Sequence, residues 1–195
     1  MPNSNKLVAI VGMCGSGKSV LADALAAEGY GYLRFGQIVL DEVKKRGVPP
    51  TEALEREIRE DFREKLGMGA MAILNIPKFD ELLQAGNVVG DGLYSWDEYK
   101  ILKEKYGENF FVVAVYAPPQ IRYERLEKRF SDASDTALRN RGFSREAATA
   151  RDMAEIENIA KGGPIAMADY TILNIGTMAE YQEQIKKFIE WIKNK

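Results

Sequence analysis

Apolar residues recur along this chain in two rhythms. Unbroken runs, LVAIV ending at Val11 and FFVVAVY from Phe110 to Tyr116, have no polar face and suit strands covered on both sides. Tyr30–Arg34, Asn87–Gly90 and Tyr170–Leu173 are shorter runs of the same kind. Between them the spacing of apolar positions changes to three and four, which predicts helices. These are Ser19–Glu28 with Gly29 as its stop, Ile38–Arg46 ended by Gly47, and a charged helix from Thr51, with Glu55 nearby, to Leu66. Met68–Ala85 follows, which Pro77 should break or kink, and then Trp96–Tyr106. Pro118-Pro119 opens a helix through Phe130, Arg145–Asn158 is another, and Thr177 caps an amphipathic helix running to the end. Ser131–Ser144 is polar and reads as a surface loop or lid.

Strands alternating with helices predict an α/β domain with a central parallel sheet and helices on both faces. Right-handed crossovers then put the loops that follow the strands on one rim, where open α/β sheets carry their chemistry. A length of 195 residues without a compositional break fits one domain, and 46% hydrophobic residues suffice for a core.

Composition narrows the chemistry. Histidine is absent, which removes Ser-His-Asp catalysis, imidazole acid–base work and His-ligated metals. The single cysteine, Cys14, excludes an intramolecular disulfide and agrees with a reducing, cytoplasmic setting. With a formal net charge of −2 there is no global positive field for nucleic acid or an anionic membrane, so an anionic substrate must be held by local Lys and Arg clusters. The N-terminal apolar run is too short to span a membrane and lacks a signal-peptide pattern. Neither nucleic acid nor membrane is expected as a partner, and the chain is expected as a monomer or homodimer.

Gly12-Met13-Cys14-Gly15-Ser16-Gly17-Lys18-Ser19 matches G-x-x-x-x-G-K-[ST] between a predicted strand and a predicted helix, the context that motif requires. Glycines let the backbone curl so that N–H groups point at phosphate oxygens, and the helix N-terminus adds positive charge. Lys18 then reaches the β- and γ-phosphates of ATP or a similar triphosphate, and the Ser19 hydroxyl is a ligand for Mg²⁺. Val20, next along the helix, completes the candidate nucleotide site. Cys14 reads as a small loop filler. Asp91 ends the strand beginning at Asn87 and precedes Gly92. If the two strands are neighbours, it lies beside the phosphate loop, to hold Mg²⁺ through water or to orient the acceptor.

With these residues in view, the chain resembles the nucleoside-monophosphate kinase branch of P-loop proteins. More closely, it resembles mainly archaeal proteins labelled adenylate-kinase-related or dephospho-CoA-kinase-like. The resemblance covers nearly the whole chain and is carried by GMCGSGKS at 12–19, LRFGQIV at 33–39, LGMGAMA at 66–72, VVGDGLYS at 88–95, RYERLEKR at 122–129 and ADYTILNIGT at 168–177. It implies a three-layer P-loop sandwich of the nucleotide-kinase type, with acceptor-binding helices at about 36–85 and a lid at about 131–150. Arg34 would contact the acceptor's phosphate, and Gly36 would allow close approach. Gly92 and Tyr94 would belong to the acceptor side, although similar kinases usually carry Arg at the position of Tyr94. Arg122 would pack near the base or phosphates. Arg125 and Arg129, on the same helical face, would reach the transferring phosphoryl group. Arg139, Arg141 and Arg145 are lid candidates, while Arg46, Arg56, Arg59 and Arg63 read as solvated helix charges. Asn174 and Gly176, in an Asn-x-Gly loop, would contact adenine.

The resemblance thus implies γ-phosphoryl transfer from ATP, with Mg²⁺, to a small phosphate-bearing acceptor such as a nucleotide. Phosphorylation of a hydroxyl, as in dephospho-CoA kinase, is the second reading. It needs a carboxylate base where this chain has Arg34-Phe35-Gly36-Gln37, the nearby Asp41 being displaced. A nucleotide-dependent switch that binds a protein partner is the third.

Overall fold

The computed structural model describes residues 5–129 and 142–195. Five parallel strands form one sheet: β1 (Leu7–Val11), β2 (Gly31–Arg34), β3 (Val88–Asp91), β4 (Phe110–Tyr116) and β5 (Tyr170–Leu173), in the order β2-β3-β1-β4-β5. The helices are α1 (Lys18–Ala27), α2 (Gln37–Arg46), α3 (Glu52–Leu66), α4 (Ala70–Ala85), α5 (Trp96–Tyr106), α6 (Pro119–Lys128), α7 (Arg145–Glu157), α8 (Gly162–Ala166) and α9 (Met178–Lys193). This is the α/β architecture of P-loop kinases that the resemblance implied, with the parallel sheet that the alternating runs predicted.

Every residue of β1 is buried, because the strand is central and covered on both faces. Alternation sends Leu7, Ala9 and Val11 into one core with Phe35, Phe79 and Leu102. Val8 and Ile10 point the other way, into a second core with Leu21, Leu25, Tyr181 and Phe188. Helices α2 to α4 lie between β2 and β3 in the chain, the stretch expected to bind the acceptor. Two capping boxes, Ser95 with Glu98 and Thr177 with Glu180, fix where α5 and α9 begin.

Two expectations need correcting. Pro77 does not break its helix: α4 runs through it. A proline in a helix removes the bond to the carbonyl four residues back. Here that residue is Ile73, on the exposed side. On the buried side Asn75 Nδ2 donates to Met71 O at 2.8 Å and to Phe35 O at 3.1 Å, tying the helix to the exit of β2. The helix α8 was not anticipated; its Gly163 packs so closely on the Trp96 ring that a Cβ there would stand 2.7 Å from Cε3. Most of the expected lid, residues 131–141, lies outside the described residues, including Arg139 and Arg141.

The middle of β3 tests the packing. A Cβ on Gly90 would stand 2.9 Å from Phe35 Cε2 and 3.3 Å from Phe79 Cζ, both fully buried rings. Overpacking a filled core costs about 1–3 kcal/mol. Gly90→Ala should therefore lower stability by that amount in urea unfolding, with little change in the slope of the transition.

Candidate functional site

The phosphate loop leaves the central strand at Val11 and enters α1 at Lys18. Its carbonyls are bound by side chains converging from several elements. Lys18 Nζ donates to Gly12 O at 2.9 Å and to Met13 O at 3.1 Å. Arg122 Nη1, on α6, donates to Cys14 O at 3.0 Å. Asn174 Nδ2, just past β5, donates to Ser16 O at 2.8 Å, and Tyr181 Oη, on α9, donates to Gly17 O at 2.9 Å. A trans peptide points its N–H opposite to its C=O. Carbonyls drawn outward to α6, the β5 exit and α9 therefore turn the following amides inward, toward the mouth of the loop. Gly17 has φ 104°, and a Cβ there would meet Asn174 Nδ2 at 2.4 Å, so only glycine fits beside this brace.

Arg122 is 3% exposed and fully engaged. Besides Cys14 O it donates through Nε to Ala117 O at 2.9 Å, and it grips Asp152 of α7 with two bonds of 3.0 and 2.5 Å. Tyr123 Oη also donates to Asp152, at 2.9 Å. Arg122 thus stands behind the loop rather than in front of it. Its edges hold the loop, α6 and α7 together, and it is not among the side chains that line the cleft. Asn174 is engaged at both ends of its amide: one holds Ser16 O, and the other accepts from Arg125 Nη2 at 3.1 Å. Gly176 lies beyond it, next to Glu180, and Val20 packs against the core beneath α1. Arg125 Nη1 is enclosed without a hydrogen-bond partner among the described residues. Of Arg122, Arg125 and Arg129, the last, which caps the C-terminus of α6, lines the cleft.

The cleft extends from Cys14, Gly15, Gly17, Lys18 and Ser19 across Asp91 and Gly92 to Arg34, Gly36 and Tyr94. β1 and β3 are indeed neighbours, with Ile10 opposite Asp91. That pairing sets the Asp91 carboxylate at the same rim as the loop, where Tyr32 Oη donates to it at 3.0 Å. Ser19 and Asp91 offer oxygen donors on one cleft, the set that Mg²⁺ accepts when phosphates and waters fill its remaining positions. No cluster of three His, Cys, Asp or Glu that could hold a metal by itself exists among the described residues.

One set of residues had no signal in the sequence. Arg151, on α7, lines the cleft, and its Nε donates to Glu155 Oε1 at 3.0 Å. Glu155 Oε2 accepts from Lys161 Nζ at 2.7 Å. Lys161, 2% exposed, also lies 4.7 Å from the centre of the Tyr94 ring. Burial opposes charge on Glu155, but Lys161 and Arg151 outweigh it and hold the carboxyl near a pKa of about 2. Ala160, which delivers Lys161, has φ 49° and is the one non-glycine residue with positive φ among the described residues. No linear motif marks these residues, whose meeting depends on the turn between α7 and α8. Tyr94 is therefore packed beneath a cation that comes from elsewhere in the chain.

Residues 8–154 match the family model described as AAA domain. A UPF0200 protein of Thermococcus kodakarensis is 35% identical over 191 residues, covering 97% of this chain and 99% of that protein. A UPF0200 protein of Sulfurisphaera tokodaii is also 35% identical, over 96% of this chain and 97% of its own. The chain belongs to the UPF0200 family of P-loop proteins. Among solved structures, shikimate kinase from Bacteroides thetaiotaomicron superposes on this chain with a TM-score of 0.59 at 12% identity, covering 96% of this chain and 98% of the kinase. A gluconokinase from Sinorhizobium meliloti does so with 0.53 at 16%, over 99% and 98%. The likeness is one of fold. No described helix of this chain is long and apolar enough to cross a membrane.

The Lys18 ammonium, enclosed by the loop and then repelled by Lys161, has its pKa lowered from 10.5 to about 8. A phosphate bound against Nζ favours the charged form and raises that pKa, so binding above pH 8 must take up a proton. Triphosphate affinity should be level below pH 8 and fall by up to about tenfold per unit above it, read by titration calorimetry in buffers of different ionisation heat. Stability of the free protein should respond oppositely. Between about 8 and 10.5 the unfolded chain holds the Lys18 proton more tightly than the native state, so this group makes stability rise with pH.

The Arg122 brace makes a second test. Arg122→Met leaves Asp152 buried without its cation, which costs about 3–5 kcal/mol. Asp152→Leu in the same chain should recover much of that loss in urea unfolding. Triphosphate binding should stay weakened in the double variant, since Cys14 O remains unheld.

Proposed function

We propose that this protein is an ATP-dependent phosphotransferase that moves the γ-phosphoryl group to a small phosphate-bearing acceptor of the nucleotide class. One observation carries the reading: the phosphate loop and the acceptor-side group of Arg34, Gly36, Gly92 and Tyr94 line the same cleft, with Asp91 between them. A protein that only bound and slowly hydrolysed ATP would have no use for this second basic half.

In the proposed reaction the triphosphate lies along the loop amides and the N-terminus of α1, with Lys18 swinging from Gly12 O and Met13 O to the β- and γ-phosphates. Mg²⁺, held through Ser19 and water on Asp91, would neutralise phosphate charge. The acceptor's phosphate is held by Arg34. It enters past Gly36, where a Cβ would have no neighbour closer than Tyr94 Oη at 3.7 Å. An acceptor oxygen attacks the γ-phosphorus in line, the bond to the β–γ bridging oxygen breaks, and ADP leaves. The attacking phosphate oxygen is already anionic, so the absence of histidine is no obstacle. Arg129 and Arg151 face the cleft and stabilise the charge that spreads over the transferring group. Arg151 is aimed by Glu155, whose charge Lys161 neutralises. A hydroxyl acceptor fits less well: Asp41, the nearest acid after β2, pairs with Lys78 at 3.3 Å and does not line the cleft.

The test is ATP consumption screened over nucleoside monophosphates, deoxynucleotides and dephospho-CoA. Turnover should need an added acceptor, and Lys18→Ala should lower it by about 10²-fold or more without unfolding the protein. Turnover within a few-fold of wild type in Lys18→Ala, or ATP hydrolysis that no acceptor accelerates, would overturn the proposal.

A further inference from the structure

On the acceptor side of the protein two enclosed polar atoms lack a partner among the described residues, and the charges that carry them depend on each other. The sequence suggested solvated charges at Arg59 and Arg63, but both line the cleft from α3. Arg63 Nε is enclosed with no hydrogen-bond partner among the described residues. Glu98, in the first turn of α5, is fully buried. Its Oε2 accepts from Tyr94 N at 3.0 Å and from Ser95 N at 3.4 Å, whereas its Oε1 is enclosed and accepts from no described residue. Enclosed polar atoms are rarely left without a bond, because each then bears the full cost of its desolvation.

Electrostatics tie the two groups together. Burial is the main force against the Arg63 charge, and Glu98 is the group that favours it most, with Glu60 and Tyr94 adding less and Arg59 opposing it. Burial also works against the Glu98 charge and pushes its carboxyl up to about 7, while the Tyr94 and Ser95 amides, then Arg63, then Lys161 act the other way. Two cations thus face Glu98: Arg63 from α3 and Lys161 from the turn between α7 and α8. Lys161 is 2% exposed and bonded to Glu155 at 2.7 Å, out of reach of a ligand. Arg63 is the one of the two that also lines the cleft. An anion arriving in the cleft therefore meets the cation on which the Glu98 charge most depends.

We infer that Arg63 holds an anionic oxygen of the acceptor, and that Glu98 is a positioning residue which releases Arg63 to that anion by taking up a proton. This rests on the kinase reading of the cleft, whose phosphate-bearing acceptor supplies the anion. With Glu98 charged, one half-buried guanidinium would be shared between the carboxylate and the ligand, leaving negative charge uncompensated in a desolvated place. The carboxylate is the group that can be neutralised. One O–H bond forms on Glu98, the proton comes from solvent, and no other bond is made or broken. Oε2 continues to accept from Tyr94 N and Ser95 N, so the start of α5 and the Tyr94 backbone stay in place. A neutral base or sugar against Arg63 would drive no such exchange.

The experiment uses the full chain saturated with a non-hydrolysable ATP analogue and Mg²⁺, so that the phosphate loop is filled. The probes are AMP and sulfate, an oxyanion that does not itself titrate near neutrality. The Glu98 carboxyl is followed by carbon NMR, its signal assigned through bonds from its own backbone. At least one probe should raise the Glu98 titration midpoint by about one unit. That probe should also bind about threefold or more weakly at about pH 8.5 than at pH 7 in the wild type, because binding then needs a proton. In Glu98→Gln, which keeps an oxygen for the two amides, its affinity should be equal at both. Arg63→Met should raise the midpoint and make it insensitive to both probes, Arg63→Lys should keep part of the response, and Arg56→Met, at an exposed position of the same helix, should keep all of it. No movement of the wild-type midpoint by either probe, a movement that survives Arg63→Met, or an unchanged pH dependence in Glu98→Gln overturns the inference. Failure of the wild type to bind the ATP analogue would instead overturn the kinase reading beneath it.

Discussion

The structure depends on how the phosphate loop's carbonyls are held. A loop that turns its amides toward one point must turn carbonyls away from it, and buried carbonyls need donors. Here the donors come from remote parts of the chain: Arg122 from α6, Asn174 from the end of β5 and Tyr181 from α9, with Lys18 closing the loop on itself. The order β3-β1-β4-β5 makes this possible, because it sets the exits of β4 and β5 on one side of β1 at the same rim. The fold is therefore the means by which an otherwise unfavourable backbone is kept ready for an anion, with its reorganisation already complete before a ligand arrives.

A buried arginine suits that task better than a lysine. Its fixed fork lets Arg122 bind Ala117 O, Cys14 O and both oxygens of Asp152 in one orientation. A buried ion pair of this kind is weak evidence of stability, since desolvation offsets much of its attraction. What it adds is geometry: it ties α6, α7 and the loop to a common point. The same reasoning covers Lys161 and Glu155, which neutralise each other and leave Arg151 to act on the cleft.

Much of the fold was legible in the sequence, because a central parallel strand must be apolar on both faces and LVAIV and FFVVAVY show it directly. The phosphate loop was legible because its glycines, Lys18 and Ser19 are consecutive. What escaped was the part of the site made by distant side chains. The 3.6-residue period of α6 placed Arg122, Arg125 and Arg129 roughly on one face, but it could not say which would be turned inward by an acid thirty residues further on. The resemblance made Asn174 a base contact but gave no sign that its amide also braces Ser16 O. Arg59 and Arg63 looked solvated because α3 is so highly charged, and only the placement of α3 against the cleft distinguishes their face from the outer one. Pro77 misled for a related reason: propensity marks the missing donor, but the buried Asn75 bonds and the packing of α4 decide that the helix continues.

Helix α7 joins these arguments. Within little more than one turn it offers Arg151 to the cleft, Asp152 to Arg122 behind the loop, and Glu155 to Lys161 above Tyr94. A shift of α7 by one residue, about 1.5 Å along its axis and a hundred degrees around it, would break all three arrangements together. The helix that follows the expected lid is thus registered at once to the phosphate loop, through Asp152 and Arg122, and to the Tyr94 side of the cleft, through Glu155 and Lys161. This also accounts for the tyrosine where similar kinases usually carry arginine. With the Lys161 ammonium packed on its ring, a guanidinium at that place would be repelled, whereas an aromatic face is attracted to the cation and still presents a hydroxyl toward Gly36.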